Sequence, residues 1–110
     1  MSVSIYYSAK RNSPITTAEN VSLLAITDMF NQGFPYKNEG ETLSFYRKPS
    51  EEYILEGATK LPYCDETIIV ESVIYWLKAL THLTSALPTA VWEVQIDDCP
   101  ASWVDDHWEM

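Results

Sequence analysis

The C-terminal stretch is densest in side chains that could do chemistry: Asp97, Asp98, Cys99, Asp105, Asp106, His107 and Glu109. Carboxylate, thiolate and imidazole groups ligate divalent cations. Their spacing follows no metal loop: there is neither a D-x-D-x-D-G run nor a C-x-x-C pair. No metal site is therefore expected, and an acidic, solvated surface is the simpler reading. Trp103 and Trp108 flank Asp105 and Asp106. Aromatic rings among carboxylates supply desolvated anchors inside a negative field, the composition of a binding hot spot for a basic surface. The competing reading packs both rings back onto the domain, because tryptophan is usually largely buried.

Other chemistries find less support. Only Gly33, Gly40 and Gly57 occur, too widely spaced for a phosphate cradle, and there is no G-x-S-x-G elbow. Cys64 or Cys99 beside His82 or His107 would make a thiol nucleophile on paper, but no local signature supports it. Both cysteines read as packing residues. His82 falls in the last turns of a helix, where a positive imidazole suits the dipole. Lys10, Arg11 and Lys37 lie near Thr16 and read either as an anion site at a helix start or, more simply, as local charge balance. Tyr6, Tyr36, Tyr46, Tyr53 and Tyr63 divide between core and recognition surface. No catalytic residue and no cofactor is assigned, and an enzyme is not expected.

The charge points the same way. The chain of 110 residues carries 7 Lys and Arg against 16 Asp and Glu, a net charge of −9. Residues 79–110 hold six of the carboxylates and no Lys or Arg. Such a field favours a basic partner and excludes a stand-alone nucleic-acid binder, since phosphates need cations. The opening residues form no signal peptide, and Glu71, Lys78 and His82 interrupt the richest apolar run, so no membrane span is expected. A cytoplasmic protein with reduced cysteines follows.

These residues must be positioned by a single domain, residues 1–110, with an acidic, Trp-bearing tail at 98–110. Alternation of Val3, Ile5 and Tyr7 predicts a strand over 2–9. Thr16 and Glu19 form a capping box for a helix over 16–31, with Leu23, Ile26, Thr27 and Phe30 on its apolar face and Gly33 as its stop. Leu43, Phe45 and Arg47 predict a strand over 42–47. A turn at Lys48-Pro49-Ser50 pairs it with a strand over 52–58. Asp65 caps a second helix over 66–86, whose stripe runs Ile69, Val73, Trp76, Leu77, Leu80, Leu83 and Leu87. Alternation of Trp92, Val94 and Ile96 with Glu93, Gln95 and Asp97 predicts the last strand. The order βαββαβ is the ferredoxin-like α+β motif: a four-stranded antiparallel sheet, spatial order 4-1-3-2, with both helices on one face. The last strand is then an edge. Its open face, with Glu93 and Asp97, lies beside the tail with Asp98, Trp103, Asp105, Asp106 and Trp108. Cys64 and Cys99 fall at one end of the domain. An alternative places the first strand outside a three-stranded sheet.

The opening Ile5-Tyr6-Tyr7-Ser8-Ala9-Lys10-Arg11-Asn12-Ser13-Pro14, the small α+β domain and the acidic, Trp-bearing C-terminal third together give the chain its likeness. It resembles the small acidic immunity proteins of bacterial toxin systems, including contact-dependent growth inhibition. The resemblance implies a cytosolic protein that binds one cognate toxin domain, often a nuclease, and blocks its active site. The physics is compatible: carboxylates stand in for phosphates in a basic cleft, and opposite fields speed association. The residues expected at that interface are Glu93, Asp97, Asp98, Asp105 and Asp106, with Trp103 or Trp108 as apolar anchor. Two other classes stay open: an acidic interaction module such as a nucleic-acid mimic or regulatory subunit, and a small ferredoxin-like enzyme with a closed pocket.

Overall fold

The alternating N-terminal segment forms β1 (Ser4–Lys10). It places Ile5, Tyr7 and Ala9 in the core and exposes Tyr6 on the opposite face. This computed structural model describes residues 3–36, 41–45, 53–61 and 65–110. After β1 come α1 (Thr17–Gly33), β2 (Tyr53–Lys60), α2 (Glu66–Ala86), β3 (Val91–Ile96), and the short strands β4 (Cys99–Pro100), β5 (Ser102–Val104) and β6 (His107–Glu109).

The chain is α+β, with a four-stranded antiparallel sheet in the order β2-β1-β3-β4. Both helices share one hydrophobic cluster with the inward residues of β1 and β3. The three long strands and both helices lie where the hydrophobic periods put them. The predicted strand over 42–47 does not form across 42–45. Positions 46–47, the Lys48-Pro49-Ser50 turn, Lys37, Tyr46, Tyr63 and Cys64 lie outside the described residues. The sheet's fourth strand is instead β4, folded back on the end of β3 through Asp97 and Asp98. The last strand is thus paired along Gln95 and Ile96, where an open edge was expected.

The reason 42–45 is not a strand is visible in its hydrogen bonds. The Asn31 side-chain amide donates to the Leu43 carbonyl and accepts from the Leu43 N–H, both at 2.9 Å. Tyr7 Oη donates to the Ser44 carbonyl at 2.7 Å and accepts from its N–H at 3.0 Å. Side chains thus satisfy the backbone groups that a neighbouring strand would otherwise pair. The Leu43–Phe45 alternation still has its expected effect, since Leu43 is buried and Phe45 packs edge-on against Tyr7. This close approach requires a glycine opposite Tyr7. A Cβ on Gly57 would lie 2.1 Å from the Ser44 carbonyl oxygen and 2.5 Å from the Tyr7 ring.

Both helix starts match their sequence signals. Thr16 Oγ1 accepts from the Glu19 N–H at 3.1 Å and Glu19 Oε1 accepts from the Thr16 N–H at 2.9 Å, a complete capping box. Asp65 accepts from the Ile68 N–H at 2.9 Å. The end of α1 differs from expectation. Gly33 is the last helical residue, and no glycine in the described residues has positive φ. Its small size matters instead, because a Cβ there would sit 3.0 Å from Tyr75 Oη. The Tyr75 hydroxyl donates to the Phe30 carbonyl and so ties the end of α1 to the middle of α2.

Candidate functional site

The tail is a folded hairpin. β5 and β6 pair antiparallel, with Trp103 opposite Trp108. Their connecting residues, Asp105 and Asp106, have φ of 50° and 65°. Positive φ at both positions is the signature of a type I′ turn, whose twist matches a two-residue hairpin. Aspartate tolerates this left-handed region better than most residues.

Trp108 fastens the hairpin to α2. Its backbone N–H donates to Thr81 Oγ1 at 3.1 Å and its indole Nε1–H donates to Thr84 Oγ1 at 2.9 Å. Those hydroxyls in turn donate to the carbonyls of Leu77 and Leu80. Trp108 is 8% exposed and belongs to the core. Of the two anchors named from the sequence, only Trp103 offers an accessible ring, at 41% exposure. The rings meet edge to face, with centroids 5.4 Å apart. On the turn's other side, His107 directs Nδ1 at the Asp105 carbonyl and Nε2 at the Glu109 carboxylate, 3.2 and 3.0 Å away. Those two acceptors, the carbonyl first, raise the imidazole's pKa above its ordinary 6.5.

Between the hairpin and the start of β3 lies a groove of about 620 Å³, lined by Trp92, Trp103, Trp108, Asp106, Thr84, Ser85, Pro88 and Ala90. Trp92 donates its indole N–H to the Leu87 carbonyl at 3.2 Å, which fixes that wall. The Asp106 carboxylate makes no hydrogen bond or ion pair with the described residues.

The other predicted carboxylates are dispersed. Glu93 is exposed on the open face of the sheet, opposite Ser8. Asp97 and Asp98 follow the end of β3, whereas Asp106 shares its groove with Ala90 and Trp92 at the beginning. Six residues of strand, about 20 Å, separate the two pairs. Asp97 also has a structural task. Its Oδ1 accepts from the Ser4 N–H at 3.0 Å while its own N–H donates to the Ser4 carbonyl at 2.9 Å. The expected continuous surface thus resolves into a groove with Trp103 and Asp106, next to Asp105 in the hairpin turn, a second turn with Asp97 and Asp98, and Glu93 on the sheet.

The remaining candidates resolve plainly. Arg11 forks onto Glu19 at 2.8 and 2.9 Å and donates to the carbonyls of Ser13 and Pro14 and to Thr89 Oγ1. An anion at the start of α1 would have to displace Glu19. His82 is exposed and its ring leans on Phe30. Cys99 is an exposed free thiol. Among the described residues no three His, Cys, Asp or Glu side chains converge on a metal-sized site. No described helix is long and apolar enough to cross a membrane.

Sequence reasoning missed a second groove, about 660 Å³, on the opposite flank of the hairpin. It is lined by Ile69, Val73, Leu77, Trp108 and Met110, with Val70 and Ile74 52% and 64% exposed beside it. Its signal was present as an apolar pair four residues apart, off the buried stripe. Comparison with protein families, curated proteins and solved structures finds no match to this chain.

Proposed function

We propose that this chain is an immunity-type binding protein, which neutralises one cognate toxin domain by occupying its basic active-site cleft. The observation that carries this reading is the groove lined by the exposed ring of Trp103 and by the Asp106 carboxylate, which is unpaired among the described residues, on a chain of net charge −9. Charge speeds the encounter and selects basic partners, and a rigid aromatic anchor slows release. A nuclease domain is the fitting target, because its cleft must be basic to hold phosphate. The protein acts in the cytosol, by occlusion and not by chemistry of its own. The order β2-β1-β3 with helices on one face corresponds to three of the four strands of a ferredoxin-like sheet, and we read the fold as a variant of that layout.

Co-expression tests this. The domain to test is the toxic C-terminal domain of a large secreted protein, sought in the gene directly upstream. Cells making that domain should grow when this chain is present and stop when it is absent, while unrelated toxin domains should still kill. Absence of protection overturns the reading. Weak, salt-labile binding to many basic proteins without protection would identify a general acidic interaction module.

A further inference from the structure

Resting on that reading, we propose that the Trp103–Trp92–Asp106 groove receives an arginine side chain of the partner protein. Three features of the groove select this occupant. The first is its aromatic wall. Trp103 keeps an exposed ring whose position is set by edge-to-face contact with Trp108, itself bolted to Thr81 and Thr84. A ring already held in place loses little entropy on binding. Tryptophan is also the best side chain for attracting a cation to its face.

The second feature is the acid. The Asp106 carboxylate has no partner among the described residues and lines the same groove as the indoles. Residues 79–110 contain no Lys or Arg, and the neighbouring His107 imidazole is directed at the Asp105 carbonyl and the Glu109 carboxylate and not at Asp106. Arg11, on the loop before α1, is already held by Glu19. The third feature is the combination. A flat indole beside a carboxylate suits a planar guanidinium, which stacks through its face and donates through its edge. A lysine ammonium would satisfy the carboxylate but not the stack. Ser85, also in the lining, adds a hydroxyl that can accept from a third N–H.

The probe is a capped glycine peptide carrying one arginine, added at low ionic strength to the ¹⁵N-labelled full chain and followed by NMR. Matching peptides carry lysine or citrulline, the latter uncharged but of the same shape. The Trp103 indole N–H and the Asp106 amide should shift saturably with the arginine peptide. Binding should be several-fold weaker with lysine and absent with citrulline. Trp103→Ala should abolish the response, and Asp106→Asn should weaken it about three- to tenfold. The Trp108 indole signal reports whether each variant keeps its hairpin docked. Trp103→Phe, which keeps a ring, should retain part of the binding. Shifts confined to Glu93, Asp97 and Asp98 would overturn the groove assignment, as would no response at Trp103. Neither result touches the growth-protection test, so failure of this inference is separable from failure of the proposed function. Equal binding of citrulline would show an apolar slot without charge recognition and would also overturn it.

Discussion

Arg11 and Glu19 show how a charged residue earns a structural role from its neighbours. Arg11 directs all five of its N–H donors, two at Glu19 and one each at Ser13, Pro14 and Thr89, joining the end of β1, the start of α1 and the loop before β3. The Arg11 hydrogen bonds, then the Thr16 N–H, hold the Glu19 carboxyl at about 2, against an ordinary 4.5. A carboxyl with a lowered folded pKa adds stability that is fully present above its unfolded value and is lost as pH falls through the folded one. Stability should therefore decline between about pH 4.5 and 2. Denaturant midpoints across that range should show a shallower acid limb in Glu19→Gln, together with lower stability at neutral pH. An unchanged slope would mean that this pair is not linked to folding. A second residue-level prediction comes from α2. The Ser72 hydroxyl is fully buried and has no hydrogen-bond partner among the described residues. Ser72→Ala removes an orphaned polar atom and adds helix propensity, so it should stabilise by about 1 kcal/mol. A loss of stability in urea melts would point to an internal water that the hydroxyl holds.

At the scale of elements, the segment 41–45 and the C-terminal hairpin are both held by side chains. The former depends on the empty space at Gly57. Gly57→Ala would drive a methyl into the Ser44 carbonyl, a backbone atom that cannot simply rotate away. We expect a loss of about 2–3 kcal/mol by chemical denaturation, with weakened near-ultraviolet signal from Tyr7 and Phe45. A near-neutral result would mean that the segment does not lie across β2 as described. In the hairpin, Asp106 sits at φ 65° and occupies the second turn position, where glycine is most favoured. Asp106→Gly should raise stability by about 0.5–1 kcal/mol and at the same time weaken binding of a basic partner. Thermal melts and binding measured on the same preparation would separate the two effects. If both rise together, the carboxylate has no role in recognition.

Across the whole molecule, the negative charge is one-sided in sequence but divided in space. Asp98 and the Asp105–Asp106 pair lie at opposite ends of β3, farther apart than the screening length of about 10 Å at 0.1 M salt. A partner seated on the Trp103 groove feels the nearer pair directly and the distant one only weakly. With the toxin domain of the proposed function as partner, Asp105→Asn with Asp106→Asn should slow association and flatten its salt dependence. Asp98→Asn should change the rate little at physiological salt. Stopped-flow association rates over a salt series distinguish these cases. Equal effects from both ends would show that the total field, and not the groove, governs the encounter.

The amino-acid sequence by itself determined the local elements. Hydrophobic period and capping chemistry act over a few residues, so β1, α1, α2 and β3, the Thr16–Glu19 box and the Asp65 cap were legible in it. The outward placement of Tyr6 and Glu93 follows from strand alternation alone. Tertiary structure decided where a local signal had a distant competitor. Leu43 and Phe45 alternate like a strand, yet Asn31 and Tyr7, remote in sequence, satisfy the backbone of 43 and 44. Gly33 resembles a helix stop, yet it answers to the Tyr75 hydroxyl. Trp103 and Trp108 are equivalent by composition. Only the pair of threonine hydroxyls on α2 buries one of them and leaves the other facing the groove, because a hydrogen-bonding partner across the fold leaves no mark on the residues beside it.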